Sequence, residues 1–264
     1  MISMETDPPY MRPNLSKGLW KGRPVEKIWR KTEERAELHL NRKAVRLDPG
    51  KKHILDNGGD EYAYDKLLIA TGGSPNHLPF GEEQIIYFRT LQDYQRLRAL
   101  VDAKEHFVVI GGGFIGSEIA AALTMVGKKV TMIFPENAIG ESIFPRDLAD
   151  FLNDYYREKG VEVVTNTSVT SVQKEGKRLT ARTGSGRAFE TDGGVAGVGI
   201  HTNLDLAKEA GITVNDGIVV NEHLETSVPD VYAAGDVANF LHSALEKRTR
   251  VEHEDNAVQK RKLA

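Results

Sequence analysis

The densest chemical signal in this 264-residue chain runs from His106 to Glu118, HFVVIGGGFIGSE. Phe107 to Ile110 is an apolar, β-rich run that reads as a buried strand. Gly111, Gly113 and Gly116 then fill the pattern GxGxxG, and Ser117 to Val126 reads as a helix with Ile119, Leu123 and Val126 on one side. In this pattern the first glycine permits a tight turn, and the second lets a pyrophosphate approach bare backbone. The third lets the helix pack closely on the strand. The helix N-terminus adds unpaired N–H groups and positive dipole, so the stretch predicts a dinucleotide site. A second strand, Val130 to Phe134, leads to Glu136, twenty positions beyond Gly116. A carboxylate there accepts hydrogen bonds from both ribose hydroxyls and repels a 2′-phosphate, which favours NAD(H) over NADP(H).

The elements that must position these residues follow from punctuation and periodicity. From Ala36 the chain alternates in strand fashion through AELHL, AVRLD, KHILD and EYAYDKLLIATGG, predicting an antiparallel meander that feeds a buried strand at Leu67 to Ala70. Leu91, Tyr94, Leu97, Leu100 and Val101 recur at helical spacing. Pro145 and Asp147 open a further helix that Gly160 closes, and VEVVT forms the next parallel strand. Strands at Val169 to Gln173 and Arg178 to Arg182 lead towards Val195 to Gly199. Later elements, Ile218 to Val220 and residues 226–240, have no sheet of their own in this reading and are expected to join the strands before residue 85. A charged terminal helix is expected from about Thr249. The first 22 residues, with Pro8, Pro9 and Pro13, are expected to run extended before a helical turn near Ser16. The fold class is therefore α/β: a doubly wound, Rossmann-like domain at 86–199, inserted between two parts of another domain, 1–85 and 200–264.

Composition limits the chemistry. A formal charge of −3 provides no global field for nucleic acid or an anionic membrane. The basic runs Lys247 to Arg250 and Lys260 to Lys262 read as solvated faces of terminal helices. No apolar stretch approaches the length of a membrane span, and the N-terminus has prolines and acids where a signal peptide needs an apolar core. The expectation is a soluble, cytoplasmic chain, or a mitochondrial one if the source is eukaryotic and residues precede Met1. Cysteine is absent, which removes disulfides, thiolate metal sites and CxxC redox pairs. No metal site is expected, and redox work would require a bound cofactor.

Five segments in order, PYMRPNLSKGLW at 9–20, LLIATGGSP at 67–75, VVIGGGFIGSEIAAAL at 108–123, VYAAGDVANF at 231–240 and RVEHEDNAV at 250–258, resemble the motifs of a known family. It is the FAD-dependent pyridine nucleotide-disulfide oxidoreductases, in their apoptosis-inducing factor-like and ferredoxin/rubredoxin reductase-like branch. The resemblance covers essentially the whole chain. It implies the middle of an FAD domain, a whole NADH domain and an FAD return segment. The family's first GxGxxG and its C-terminal interface domain have no counterpart in this sequence, so against the family pattern the chain reads as truncated at both ends, either a fragment of a longer protein or a natural reduced form.

The resemblance also implies site residues. Asp236 corresponds to the carboxylate that binds the flavin's ribityl hydroxyls; an isolated GD would otherwise read as a turn aspartate. Arg12 and Lys17 correspond to positions at the flavin, Lys17 near N5 and paired with Glu118. Such a buried cation favours the anionic reduced flavin, and its carboxylate partner limits the desolvation cost. Ala44, through its backbone, and Arg89 occupy family FAD positions, and His253 and Glu254 match the isoalloxazine end. Glu254 stands where mitochondrial relatives carry histidine. For NADH, Gly112, Gly113, Phe114, Ile115 and Glu136 match directly, Gly199 matches a close-approach glycine, and Glu252 with His253 lies where nicotinamide meets flavin. Phe114 reads either as a gate over the flavin or as a packing residue. A family lysine at the adenosine end aligns with Ser142.

The function implied is an FAD-dependent NADH oxidoreductase, with Lys17, Glu118 and His253 at the reacting rings and electrons passing to a redox protein or a quinone-like acceptor. The alternative is an NAD(H)-binding module without turnover, because the FAD site is incomplete. A third reading, a redox-signalling or apoptosis-linked partner protein, rests on the resemblance alone.

Overall fold

The computed structural model describes residues 1–261 and divides into two compact units. One contains residues 11–29 and 75–200; the other contains 1–10, 30–74 and the described residues from 201 onward.

The first unit is built on a five-stranded sheet. Its strands run in the spatial order Ile85–Tyr87, Gly193–Ala196, His106–Ile110, Lys129–Ile133, Glu162–Val164, and every pairing is parallel. Strands buried on both faces read as continuous apolar runs, which is why HFVVI and VTMI carry no alternation. Helices Leu91–Ala103, Phe114–Met125 and Arg146–Glu158 follow the first, third and fourth of these strands. Thr90 and Asp93 form a reciprocal capping box that starts the first helix where the apolar periodicity begins. The other face of the sheet is covered by an antiparallel sheet of Val169–Glu175, Arg178–Thr183 and Ala188–Thr191. Val172, Leu179, Ala181 and Phe189 pack there with Val108, Ile110 and Ile133.

Residues 11–29 belong to this unit although they precede its sheet by some fifty positions. They form three short 3-10 turns, Arg12–Asn14, Leu19–Lys21 and Val25–Lys27, where the sequence suggested one turn near Ser16. Leu15, Leu19, Trp20 and Ile28 are buried. The Trp20 ring meets Tyr94 edge-on at 5.5 Å, and its Nε1–H donates to the Leu15 carbonyl at 2.8 Å.

The second unit holds the meander Ala44–Asp48, His53–Asp56 and Glu61–Ala63, and a parallel pair, Leu67–Ile69 with Val231–Ala233. Four more strands, Val214–Asn215, Gly217–Val219, Ala238–His242 and Lys247–Thr249, form a sheet of their own, with helices Asp205–Glu209 and Glu254–Arg261 beside them in sequence. Leu47, Ile54, Ile69, Ile218, Val231 and Val237 share its core.

Three sequence readings are corrected here. The segment AELHL is not a strand; His39 makes only an isolated bridge to Ile2. The expectation that Ile218 to Val220 and residues 226–240 have no sheet of their own fails: Val231–Ala233 joins an earlier strand, but Gly217–Val219 and Ala238–His242 pair with each other in the four-stranded sheet. Residues 247–249 are strand rather than helix, and the terminal helix begins at Glu254. Lys247 and Arg248 lie in a strand that closes the four-stranded sheet, where lysine and arginine are at home. Lys262 lies outside the described residues. Among those described, no helix is long and apolar enough to cross a membrane, and no acid, histidine or cysteine cluster could hold a metal.

Candidate functional site

The glycine turn is built by contacts that exclude side chains. Gly111 has φ +112°, and a Cβ there would strike the Gly197 carbonyl oxygen. A Cβ on Gly116 would strike the carbonyl of Gly111, so the helix sits against the strand backbone itself. Gly113 is different: apart from its own chain neighbours, nothing lies within 4 Å of where its Cβ would be. Gly113 is also the N-cap of helix 114–125, and no side chain caps that helix. Its first N–H groups are therefore available to an anion at the face Gly113 leaves open. Gly112 lies against the Phe134 ring, and its carbonyl accepts from Gly140 N–H at 2.8 Å. The helix starts at Phe114, three residues earlier than the sequence pattern suggested.

Phe114 and Ile115 are exposed on this first turn. Phe114 meets Phe144 edge-on at 6.1 Å, beside a cavity of about 180 Å³ lined by Gly113, Glu118, Ile139, Ile143 and Tyr156 among others. Tyr156 donates to the Ser117 carbonyl at 3.0 Å, and burial raises its pKa above the usual phenol value.

Glu118 lies one turn further on, where two consecutive residues of the 11–29 segment hold its carboxylate. Lys17 Nζ lies 2.7 Å from Oε1, and Ser16 Oγ donates to Oε2 at 2.5 Å. The expected burial of Lys17 is not found: its side chain is 55% exposed, against 26% for Glu118. The buried donor is Ser16, which sequence reasoning passed over. Arg12 and Arg89 are also brought together, Arg12 donating from NH1 to the Arg89 carbonyl at 2.9 Å.

Glu136 is exposed just beyond strand 129–133, and its carbonyl accepts from Asn166 N–H at 3.0 Å. Gly199 has φ +86° and is clamped by Asn76, whose backbone N–H donates to the Gly199 carbonyl at 3.0 Å and whose Nδ2 donates to Val198 at 3.2 Å. Neither Asn76 nor Gly197 was singled out from the sequence. A lone asparagine in a loop gives no signal until its partner is known.

The remaining expected residues belong to the other unit. Ala44 opens the first meander strand, next to a register shift. Asp236 lies in a 3-10 turn, Gly235–Val237, directly after strand 231–233, and its carbonyl accepts from Arg250 NH1 at 3.2 Å. Arg250 also binds Asp216 at 3.1 Å and Glu252 at 2.5 Å, which fixes the Glu252 carboxylate beside that turn. His253 Nδ1 accepts from Asp255 N–H at 3.2 Å and so caps the terminal helix. In its neutral form the ring then carries its proton on Nε2. Glu254 pairs with Arg30 at 2.9 Å.

With this geometry established, comparison with known proteins is informative. The family model described as pyridine nucleotide-disulphide oxidoreductase matches residues 1–260. The chain is 33% identical over 290 residues to the mitochondrial apoptosis-inducing factor 1 of Dictyostelium discoideum, covering 97% of this chain and 54% of that protein. It is 31% identical over 272 residues to the putidaredoxin reductase of Pseudomonas putida, covering 97% and 64%. Among solved structures, the covalent putidaredoxin reductase–putidaredoxin complex superposes with a TM-score of 0.94 at 30% identity, over 99% of this chain and 67% of that one. The chain thus spans little more than half to under two thirds of the curated relatives named here.

Proposed function

Because the chain belongs to the pyridine nucleotide-disulphide oxidoreductase family, we propose that it serves in FAD-dependent oxidation of NADH, with electrons passing to a small redox protein or a quinone-like acceptor. The observation that carries this reading is the glycine turn. Gly111 and Gly116 lack side chains because the fold leaves no room, whereas Gly113 lacks one where the chain leaves open space. A dinucleotide pyrophosphate fits that space, with the uncapped helix end supplying donors.

In this reading Glu136 takes the adenosine ribose hydroxyls, and Gly199, held by Asn76, permits close approach of the coenzyme. Asp236 takes hydroxyls of the flavin's ribityl chain, with Arg12, Ala44 and Arg89 as further FAD contacts. Lys17 and Glu118, with Glu252, His253 and Glu254, stand at the ring end. A bound flavin would supply the redox chemistry, acceptance of hydride from a nicotinamide and onward electron transfer. The protein's task is to hold the two rings in register and to set the local charge. A redox-protein acceptor is supported by the relative solved in covalent complex with putidaredoxin.

The test is an absorbance spectrum of the purified chain with FAD, before and after anaerobic NADH. Bands near the flavin maxima that bleach on NADH addition are the expected result. A preparation that stays colourless after incubation with FAD overturns the reading for this chain. NADH binding by calorimetry without flavin would instead identify a nucleotide-binding module.

A further inference from the structure

Arg250 ties together three separate segments. Its side chain is only 16% exposed; Nε donates to Asp216 Oδ1 at 3.1 Å, and one terminal nitrogen donates both to the Asp236 carbonyl at 3.2 Å and to the Glu252 carboxylate at 2.5 Å. Room for the side chain comes from Gly217, at φ +104°: a Cβ there would lie 2.6 Å from the Val237 carbonyl oxygen and 3.0 Å from Arg250 Cδ. Asp216 is held in turn by Asn239, 3% exposed, whose Nδ2 donates to its carbonyl at 2.7 Å. Asn239 lies on strand 238–242, so the contacts run from the sheet to Asp236 and Glu252. Asp236 follows the C-terminal end of Val231–Ala233, which pairs in parallel with Leu67–Ile69. That end of a parallel strand is where α/β sheets place their ligands, and a carboxylate there suits one that presents hydroxyl donors.

We infer that Arg250 is a positioning residue for the flavin site: it holds the Asp236 turn and the Glu252 carboxylate at one spacing, and it balances the charge of Glu252. The inference rests on the reading above in which Asp236 takes the ribityl hydroxyls and Glu252 stands at the ring end. Arginine suits this task and lysine does not. A guanidinium presents several N–H donors in a fixed plane and so serves acceptors on separate segments at once, whereas an ammonium is a point charge on a flexible stem. The two contributions are separable. Affinity for FAD depends on the fork, which sets where both carboxylate-bearing segments stand. The reduction potential depends on the charge, because reduction adds electrons at the ring end and an unbalanced carboxylate there opposes them.

The test uses the whole chain with FAD, for the wild type, Arg250→Lys and Arg250→Met. Affinity is read from quenching of flavin fluorescence, and the potential from equilibration with reference dyes. Arg250→Met is expected to weaken FAD binding about tenfold, as the loss of a charged hydrogen bond implies, and to lower the potential. Arg250→Lys should weaken binding by a similar factor yet keep the potential close to that of the wild type. A purely structural arginine would lower affinity and Tm in both variants and leave the potential unmoved in both, and that result overturns the inference. So does an FAD affinity within about twofold of wild type in either variant. If Arg250→Met does not fold, Arg250→Gln, which keeps N–H donors and removes the charge, takes its place under the same two criteria. If the wild type binds no FAD, the underlying reading fails instead, and this inference with it.

Discussion

Replacing Ser16 by alanine should destabilise the chain more than replacing Lys17 by methionine, although only the second change removes a charge. Both residues hold the Glu118 carboxylate, at 2.5 and 2.7 Å. Lys17 is 55% exposed, and an ion pair of that kind contributes about 0–1 kcal/mol after screening. Ser16 is 6% exposed, and a buried hydroxyl donating to an ionised group contributes about 1.5–3 kcal/mol. At about 2–4 °C per kcal/mol for a chain of this size, Ser16→Ala should lower Tm by about 3–12 °C and Lys17→Met by less than about 4 °C. Thermal melts followed by circular dichroism read both. Salt separates them further: at about 0.5 M the Lys17→Met effect should vanish while that of Ser16→Ala persists. A larger loss from Lys17→Met, or a Ser16→Ala effect abolished by salt, would refute the assignment of Ser16 as the principal anchor.

Further outcomes are expected elsewhere. Gly116→Ala, whose methyl strikes the Gly111 carbonyl, should cost more than about 3 kcal/mol or prevent folding. Gly113→Ala should stay within about 1 kcal/mol of wild type in urea melts yet weaken NADH binding about tenfold or more by calorimetry. His106 has its pKa lowered, first by burial and then by Lys129 and Arg178, so its neutral form is favoured in the folded chain. Its stabilising contribution is complete above the ordinary histidine pKa and is lost as pH falls through the lowered value. Urea midpoints should therefore drop between pH 7.5 and pH 5.5, and His106→Gln should flatten that slope; an unchanged slope would discard His106 as its source. Asp236→Ala should weaken FAD binding about tenfold or more, as the loss of a charged hydrogen bond implies, with NADH calorimetry unchanged.

The parallel sheet and its helices were readable because burial on both faces writes apolar runs such as HFVVI and VTMIF, with glycine and proline marking the ends. Elsewhere the physical signal was ambiguous. AELHL alternates like a strand, yet pairing needs a partner edge, and only His39 finds one. Lys247–Thr249 reads as a charged helix because a charged sheet edge has no apolar period to reveal it. In the site, Gly111, Gly113 and Gly116 announce themselves by spacing. Ser16, Asn76 and Gly197 do not, because each matters through a partner distant in the chain. Lys17 was expected to be the buried member of its pair, but the serine beside it is the residue that leaves solvent.

The interleaved division of the chain has a consequence for its birth on the ribosome. The glycine-turn unit needs residues 11–29 and 75–200, so all of its parts are available once Ile200 has emerged. The other unit must wait: Leu67–Ile69 pairs with Val231–Ala233, more than 160 positions later. Until then Leu67–Ile69 is a strand without its parallel partner, the kind of edge that invites non-native association. Early chain termination between 200 and 230 should therefore yield a nascent protein that binds nucleotide but aggregates through the unpaired strand Leu67–Ile69.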